Sequence, residues 1–300
     1  MRIIIAVALS ILVWACESSY DHFEAYQDAM IPIKLGAGSL SVDSVQWNNA
    51  YVTTSKELYF TKMGKSASNI YKMTHENGSF SGLEQMPLPE GSPHSDVYVN
   101  PEGDLMLFSS LMQEHEKDTV SDWNIWKSKR EGNQWQDPEP FFKENLEGNQ
   151  FYPLLTDSGN LYFAITPHGS SNSDLYVSSY KEGIYSDPKP LTGVNSDKLE
   201  GDAFVAADES FMIFAGFERA ENLGKSDLFI SFNKNGKWSS PIWMGSEINS
   251  EGYDGSPFVT EDHKYLLFTS SRGSTDENTF FNHYIVRFDA NKYKSKNETI

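Results

Sequence analysis

The chain has 300 residues, a formal net charge of −18 and aromatic side chains at 14% of its positions. Such a strong acidic balance argues against nucleic acid and anionic lipid surfaces as partners and favours cations, neutral glycans or basic protein patches. A chain of this length can bury enough apolar surface to fold without a disulfide. We find no composition shift after residue 30 that would mark a second domain.

The N-terminus has the features of an export signal. Met1-Arg2 precedes an apolar run at 3–15 that is too short to cross a bilayer as a helix. The run ends in Leu12-Val13-Trp14-Ala15-Cys16, which resembles the lipobox of bacterial lipoproteins, although Trp14 is bulky for its place. The resemblance implies that residues 1–15 are a signal peptide and that Cys16 becomes the lipid-modified first residue. An ordinary export signal before a buried free thiol is the alternative.

Residues 16–29 are predicted to be a polar, disordered linker between the lipid anchor and the folded domain. The protein is then expected to be exported and attached to a bacterial membrane through this anchor only. An outer membrane is favoured over an inner one, and the domain is expected in the periplasm or at the cell surface.

Five phenylalanines end short apolar segments, and each is followed by a small residue. They are Phe60, Phe108, Phe163, Phe214 and Phe268, separated by 48, 55, 51 and 54 residues. A second aromatic series keeps the same spacing: Tyr71, Trp126, Tyr176, Phe229 and Tyr284. A unit of about 50 residues therefore repeats five times.

The third repeat shows the strand pattern most clearly. Residues 150–156 and 161–164 are predicted strands, joined by the tight turn Asp157-Ser158-Gly159-Asn160. A third strand begins at Asp174, and the fourth contains prolines that suit an exposed edge strand. Four short antiparallel strands per repeat are typical of a β-propeller blade.

The fifth repeat lacks a fourth strand, because only the polar tail 291–300 follows its third strand. Residues 30–35, Met-Ile-Pro-Ile-Lys-Leu, have the apolar and proline-containing composition of an edge strand. We expect this segment to complete the fifth blade, since ring closure removes exposed sheet edges. The prediction is an all-β, five-bladed β-propeller of four-stranded antiparallel blades over residues 30–290, closed by an N-terminal strand. Six blades are the alternative.

The last repeat also carries a family resemblance. Its segments WMGSEINSE at 243–251, SPF at 256–258 and LLFTS at 266–270 resemble the WD40-like repeat of periplasmic proteins, the PD40 or TolB-type repeat. Weaker copies extend the likeness over about residues 47–288. TolB-like proteins typically have six blades, so a count of five departs from them. The resemblance implies a binding or scaffolding role at the cell envelope and no chemistry by itself.

The connections between second and third strands vary in length and chemistry, whereas the other turns stay short. In a propeller such loops surround the mouth of the central channel, so we expect the binding site there. The candidate residues are His94, Asp96, His115, His168, Asp202, Arg219, Tyr253, Asp254 and Arg272. The expected partner is an envelope protein or a glycan, bound without catalysis.

Glycoside hydrolysis is the alternative function, because five-bladed propellers also house glycosidases with paired carboxylates in a central pocket. The candidate acids are Asp43, Asp96, Asp202 and Asp254. They are predicted to occupy non-equivalent places in their repeats, as catalytic groups with distinct environments would. The hypothesis requires two of them roughly 5 to 10 Å apart at the channel mouth beside an aromatic platform.

No cofactor is expected from the sequence. No His-x-His or cysteine pair is present, so no metal site is predicted. Asp276-Glu277-Asn278 could give oxygen ligands to Ca²⁺, but solvated surface acids are the simpler interpretation.

Overall fold

The computed structural model describes residues 21–114, 120–142, 146–275 and 277–297, without the side chains of 295–297. The predicted signal peptide and the lipidation of Cys16 lie outside these residues, as do His115 and Asp276. Within the described ranges, no helix is long and apolar enough to cross a membrane.

Five antiparallel blades follow one another along the chain. The first contains Gln46–Val52 (β2), Glu57–Met63 (β3), Ser68–Glu76 (β4) and Ser79–Gln85 (β5). The second contains His94–Val99 (β6), Leu105–Ser110 (β7), Asn124–Glu131 (β8), Gln134–Trp135 (β9) and Glu139–Pro140 (β10). The third contains Asn149–Leu155 (β11), Leu161–Thr166 (β12), Asp174–Ser178 (β13) and Lys189–Pro190 (β16), with a small hairpin of Tyr180–Lys181 (β14) and Ile184–Tyr185 (β15).

The last two blades follow the same plan. The fourth contains Glu200–Val205 (β17), Phe211–Phe217 (β18), Ser226–Lys234 (β19), Lys237–Trp238 (β20) and Ile242–Trp243 (β21). The fifth contains Asp254–Val259 (β22), Tyr265–Ser270 (β23) and Asn282–Arg287 (β24), with Ile33–Lys34 (β1) from the N-terminus as its outermost strand. The first strand of each blade contacts the first strands of both neighbouring blades, so these five strands surround the central axis.

Strand β1 closes the ring. It pairs antiparallel with β24, placing Ile33 opposite Ile285 and Lys34 opposite Tyr284. The backbone N–H of Leu35 continues the ladder by donating to the carbonyl oxygen of His283 at 2.8 Å. The five-bladed propeller closed by an N-terminal strand is therefore confirmed, and the six-bladed alternative is wrong.

The two aromatic series share their spacing because their members face each other across neighbouring strands. In every blade, the phenylalanine of the second strand lies directly opposite the second-series aromatic residue of the third strand. All five phenylalanines are at most 1% exposed. Each buried phenylalanine contributes roughly 1.5 to 3 kcal/mol through removal of apolar surface from water. The repeated aromatic pairs therefore show where neighbouring strands and neighbouring blades pack against each other.

The segment 21–29 differs from the predicted polar linker. It contains a 3₁₀ helix at Glu24–Tyr26, and Phe23, Tyr26 and Ala29 are buried against blades one and five. The spacing of three residues places these apolar side chains on one side, which overall polarity does not reveal. The described part of this segment is therefore part of the propeller.

The segment after residue 290 also differs from a purely polar tail. A helix at Asn291–Asn297 (α1) follows the last strand. Tyr293 of this helix is buried, and its hydroxyl donates to the carbonyl oxygen of Met244 at 3.4 Å. One aromatic side chain is enough to attach the helix to the fourth blade.

Candidate binding site at the loop face

The propeller has two faces of different construction. We call loop face the side formed by the starts of the first strands and the described parts of the connections between second and third strands, at 64–67, 111–114, 120–123, 167–173, 218–225, 271–275 and 277–281. We call turn face the opposite side, formed by the turns that join first to second and third to fourth strands.

Each first strand has a β-bulge at the same place. The five bulge residues are Asn48, Asp96, Tyr152, Asp202 and Ser256, all with φ between 49° and 70°. A bulge redirects a side chain out of the normal alternation of a strand. These five side chains, which we call the axis ring, line a small cavity of about 30 Å³ on the axis. That volume holds about one or two waters and no sugar.

Hydrogen bonds link the axis ring across blades. Asp96 is 2% exposed and accepts from Trp47 Nε1 at 3.1 Å and Ser95 Oγ at 2.7 Å. Its carboxyl also accepts from the backbone N–H of Tyr152, whose hydroxyl donates to Asp202. One tyrosine therefore connects the two carboxyl groups.

Asp202 reaches the next blade. Its Oδ2 accepts from the backbone N–H of Ser256 at 2.9 Å and from the Ser256 hydroxyl at 3.2 Å. Burial raises the pKa of Asp202, and these hydrogen bonds to the charged form oppose the rise. Burial raises the pKa of Asp96 to about 7, and the nearby charge of Asp202 adds to the effect. Protonation of Asp96 is therefore sensitive to pH near neutrality.

Two residues before the axis ring, each first strand carries another buried polar side chain. These residues, which we call the collar, are Gln46, His94, Gln150, Glu200 and Asp254, each at most 2% exposed. His94 shows their role, since its ring nitrogens bond Ser110 Oγ and the carbonyl oxygen of Pro89, both at 2.9 Å. Burial lowers the pKa of His94, which favours the neutral ring. The collar attaches loop-face segments to the blades.

Two collar residues are acids paired with arginines. Glu200 accepts from Arg219 Nη2 at 2.7 Å, and Asp254 accepts from Arg272 Nη2 at 2.9 Å. Both guanidinium groups also lie about 5 Å from the centres of buried aromatic rings, Arg219 over Phe214 at 5.3 Å and Arg272 over Tyr284 at 4.8 Å. Because each arginine is already paired and stacked, the predicted site residues Arg219, Asp254 and Arg272 act, together with Glu200, in fixing the loops.

The prediction that the four candidate aspartates occupy non-equivalent places is wrong for two of them. Asp96 and Asp202 hold the same bulge position in blades two and four. Asp254 is paired with Arg272, and Asp43 is half exposed beside Lys34, 2.7 Å from its Nζ. Only Asp96 and Asp202 share a cavity. The β-bulges bring these two carboxyl groups to the same cavity. The five bulge positions share no residue type that would identify them in the sequence.

Above the axis ring, a second cavity of about 250 Å³ opens at the loop face. We call it the mouth cavity. Its aromatic walls come from Trp47, Tyr152, Phe217, Tyr253 and Phe281, and Asp202 also lines it. Tyr253 is at the centre of the wall, with the ring of Phe217 at 6.4 Å and that of Phe281 at 6.0 Å.

A third cavity of about 440 Å³ lies on the other side of Tyr253. Lys225 contributes to it with its Nζ 5.0 Å above the Tyr253 ring, and Arg272, Glu251 and several hydroxyl side chains complete it. Tyr253 borders both cavities, so they lie side by side at blades four and five.

Sequence reasoning missed Trp47, Tyr152 and Phe217 as wall residues. A signal was present for the axis ring: each member precedes the repeated phenylalanine of its blade by eleven or twelve residues. Because the five residues share no side-chain type, a search for a repeated letter does not find them.

His168 lies away from the mouth cavity. Its side chain is 48% exposed, with Nε2 3.6 Å from Asp122 Oδ2 and accepting from the backbone N–H of Gly148 at 3.3 Å. Among the described residues, no three His, Cys, Asp or Glu side chains are grouped to hold a metal ion. The Ca²⁺ hypothesis at 276–278 depends partly on Asp276, which lies outside those residues.

No protein-family model matches this chain, and no curated protein matches it. The chain is similar to a thermostable family-43 glycoside hydrolase, with a TM-score of 0.61, 10% identity and coverage of 85% of this chain and 93% of the other. It is similar to a putative TolB from Agrobacterium tumefaciens, with a TM-score of 0.52, 12% identity and coverage of 82% and 91%.

It is also similar to TolB from Acinetobacter baumannii, with a TM-score of 0.50, 14% identity and coverage of 82% of this chain. The chain spans 56% of the length of that protein. At such low identities these likenesses concern the fold alone. This protein therefore has the propeller architecture found both in TolB proteins and in glycoside hydrolases.

Proposed function

We propose that this protein is an exported, lipid-anchored β-propeller that binds a neutral glycan in the mouth cavity and does not cleave it. The observation that carries the proposal is the aromatic wall around Tyr253 with the Asp202 carboxyl beside it. Aromatic faces pack against the C–H faces of sugar rings, and a carboxyl oxygen accepts hydrogen bonds from hydroxyl groups. The net charge of −18 disfavours acidic glycans.

The dimensions agree with a small ligand. A mouth cavity of about 250 Å³ is near the lower end of ligand pockets, which run from roughly 300 to 1,000 Å³. The adjoining cavity beside Tyr253 adds polar surface for further hydroxyl groups. A short saccharide can therefore cross Tyr253 from one cavity to the other.

The position of the carboxyl groups supports binding over hydrolysis. A hydrolase with two carboxyl groups needs both within reach of the glycosidic bond. Asp202 borders the mouth cavity, but Asp96 is 2% exposed and lines only the water-sized cavity below it. The carboxyl of Asp96 also accepts hydrogen bonds from Trp47 and Ser95, so it is poorly placed to act on a sugar.

The test is a glycan array followed by titration calorimetry on the chain from Ser18 onward. Tyr253→Ala is expected to weaken binding of any hit at least about tenfold, equivalent to ~1.4 kcal/mol, because the stacking surface is lost. Tyr180→Ala is the matched control, since Tyr180 is 43% exposed in the β14–β15 hairpin, away from the mouth. Absence of binding to every neutral glycan, or equal loss in both variants, would contradict the proposal.

Product analysis of every hit separates binding from hydrolysis. We expect the bound glycan to be recovered intact after long incubation. Cleavage that disappears in Asp202→Asn while binding persists would instead establish the hydrolase alternative.

The lipid anchor is supported by the lipobox resemblance of the segment ending at Cys16. Metabolic labelling with an alkyne fatty acid is expected to mark the full-length protein and not Cys16→Ser. The variant is expected to leave the membrane fraction. A Cys16→Ser protein that stays in the membrane fraction would contradict the anchor without affecting the glycan site.

A further inference from the structure

The N-terminal segment joins the propeller at the turn face. Asp21 accepts from the Tyr265 hydroxyl at 3.1 Å and lies 3.7 Å from Lys264 Nζ. Phe23 is 2% exposed, with its ring 4.9 Å from that of Tyr51 and 4.8 Å from that of His75. Lys264 follows the turn between the first two strands of blade five, so the chain enters at the side opposite the mouth cavity.

The remaining distance to Cys16 is short. Cys16 precedes Asp21 by five residues, which reach at most ~18 Å even when fully extended. First strands of six or seven residues separate the two faces by roughly 20 Å. A lipid on Cys16 therefore holds the turn face closer to a bilayer than the loop face.

An exposed apolar patch lies beside this entry point. Met30, Ile31 and Ile33, which we call the rim patch, are 65%, 66% and 40% exposed. The patch is near the turn face, because the preceding Ala29 accepts through its carbonyl oxygen from the N–H of Arg287, the last residue of β24. Three large aliphatic side chains within four residues thus leave apolar surface that the described propeller does not cover.

We infer that the rim patch rests on the lipid surface to which Cys16 is attached, so that the mouth cavity points away from the membrane. The inference depends on the proposed lipid anchor. A net charge of −18 gives no electrostatic attraction to an anionic bilayer. The contact therefore depends on the short tether, which keeps the patch at high effective concentration beside the bilayer, and on insertion of aliphatic side chains at the headgroup boundary.

Two native methionines test this orientation. Met30 in the rim patch is 65% exposed, and Met63 at the loop-face end of β3 is 46% exposed. Chloramine-T, a charged oxidant, converts exposed methionine to its sulfoxide, and peptide mass spectrometry follows each rate. On phosphatidylcholine vesicles, we expect Met30 of the lipidated chain to be oxidised about fivefold more slowly than Met30 of the soluble Cys16→Ser variant. The oxidation rate of Met63 is expected to be the same in both.

Attaching the protein to the vesicles chemically tests its orientation independently of whether cells lipidate Cys16. The chain from Cys16 onward is coupled through its only cysteine to maleimide-bearing lipid in the same vesicles. The same protection of Met30 is expected. If natural lipidation fails, this arm still measures orientation, so the anchor and the inference can fail separately.

Variants identify the rim patch as the contact. Ile31→Asp is expected to restore the fast oxidation of Met30 on vesicles, because a carboxylate resists insertion at the interface. Leu223→Asp, on the loop face with the wild-type side chain 44% exposed, is expected to leave the protection intact. Unprotected Met30, protection of Met63 instead, or protection of Met30 in solution that grows with protein concentration would each overturn the inference. The last outcome would indicate that a second copy covers the patch.

Discussion

Asp96 and Asp202 in the axis ring and Glu200 and Asp254 in the collar are acids on the same set of strands, all buried except the partly buried Asp202, but their partners differ. Each collar acid lies within 2.9 Å of an arginine nitrogen. Among the described residues, the axis acids accept only from neutral donors, namely tryptophan, serine, tyrosine and backbone N–H groups.

The comparison shows how one architecture uses buried charge in two ways. An ion pair with good hydrogen bonds stays charged when buried, and it fixes a loop to its blade. A buried carboxyl without a cation prefers the protonated form, so its free energy depends on pH. The collar ion pairs should therefore contribute mainly to the free energy of unfolding. The axis acids should account for the dependence of that free energy on pH.

The largest expected effect comes from breaking a collar pair. Arg219→Met leaves Glu200, which is fully buried, without its cation. Removing one partner of a buried pair costs about 3 to 5 kcal/mol in the free energy of unfolding, measured by urea denaturation. The double variant Arg219→Met with Glu200→Gln is expected to recover a large part of that loss. A single-variant loss that the double variant does not reduce would mean that Arg219 acts through packing alone.

An effect of opposite sign, which develops only as the pH rises, is expected on the axis. The pKa of Asp96 is about 7 in the folded protein and near 4 when unfolded, because burial disfavours the charged form. As pH rises between these values, the unfolded state ionises first and the folded state loses relative stability. In free energy of unfolding, Asp96→Asn is expected to equal wild type near pH 4 and to exceed it by about 4 kcal/mol at pH 8, because a pKa difference of about three units is worth about 1.4 kcal/mol per unit.

Thermal unfolding at a series of pH values measures this difference. Asn48, whose Oδ1 is buried without a partner, is the candidate acceptor for the new amide N–H group. A variant whose unfolding midpoint follows the same pH profile as wild type would show that Asp96 does not titrate in this range.

A third variant changes the strength of the axis hydrogen bonds. Trp47→Phe keeps the aromatic ring in the mouth wall and removes the Nε1–H that donates to Asp96 and Ser95 at 3.1 Å. The expected loss of stability at pH 8 is about 1 kcal/mol. Because that bond favours the charged carboxyl, its loss should raise the pKa of Asp96 further, which the pH series detects. An unchanged free energy of unfolding at pH 8 would mean that a water molecule replaces the lost Nε1–H donor.

The smallest effect is expected at an acid that belongs to neither group. Asp43 has a half-exposed side chain beside Lys34, and the hydrogen bond from that lysine lowers its pKa. Solvent screens such a pair, so Asp43→Asn should leave the urea midpoint unchanged within error. A clear shift would show that surface pairs contribute as much as the collar, which would remove the contrast.

The sequence by itself determined the architecture. Phenylalanine and the second aromatic residue recur at one spacing because each pair meets across two strands in every blade, and that contact is local enough to leave a periodic pattern. Residues 30–35 could be identified as the closing strand, because an incomplete last repeat left only one vacant edge in the ring.

Only the tertiary structure decided which polar residues meet. Asp96 and Asp202 are 106 positions apart, and bulges with positive φ turn both toward one cavity. The same applies to Arg219 and Arg272, which fold back from their loops onto collar acids that sequence spacing does not link to them. Repeated apolar packing leaves a pattern in the sequence, whereas single polar contacts across blades depend on the closed ring that brings them together.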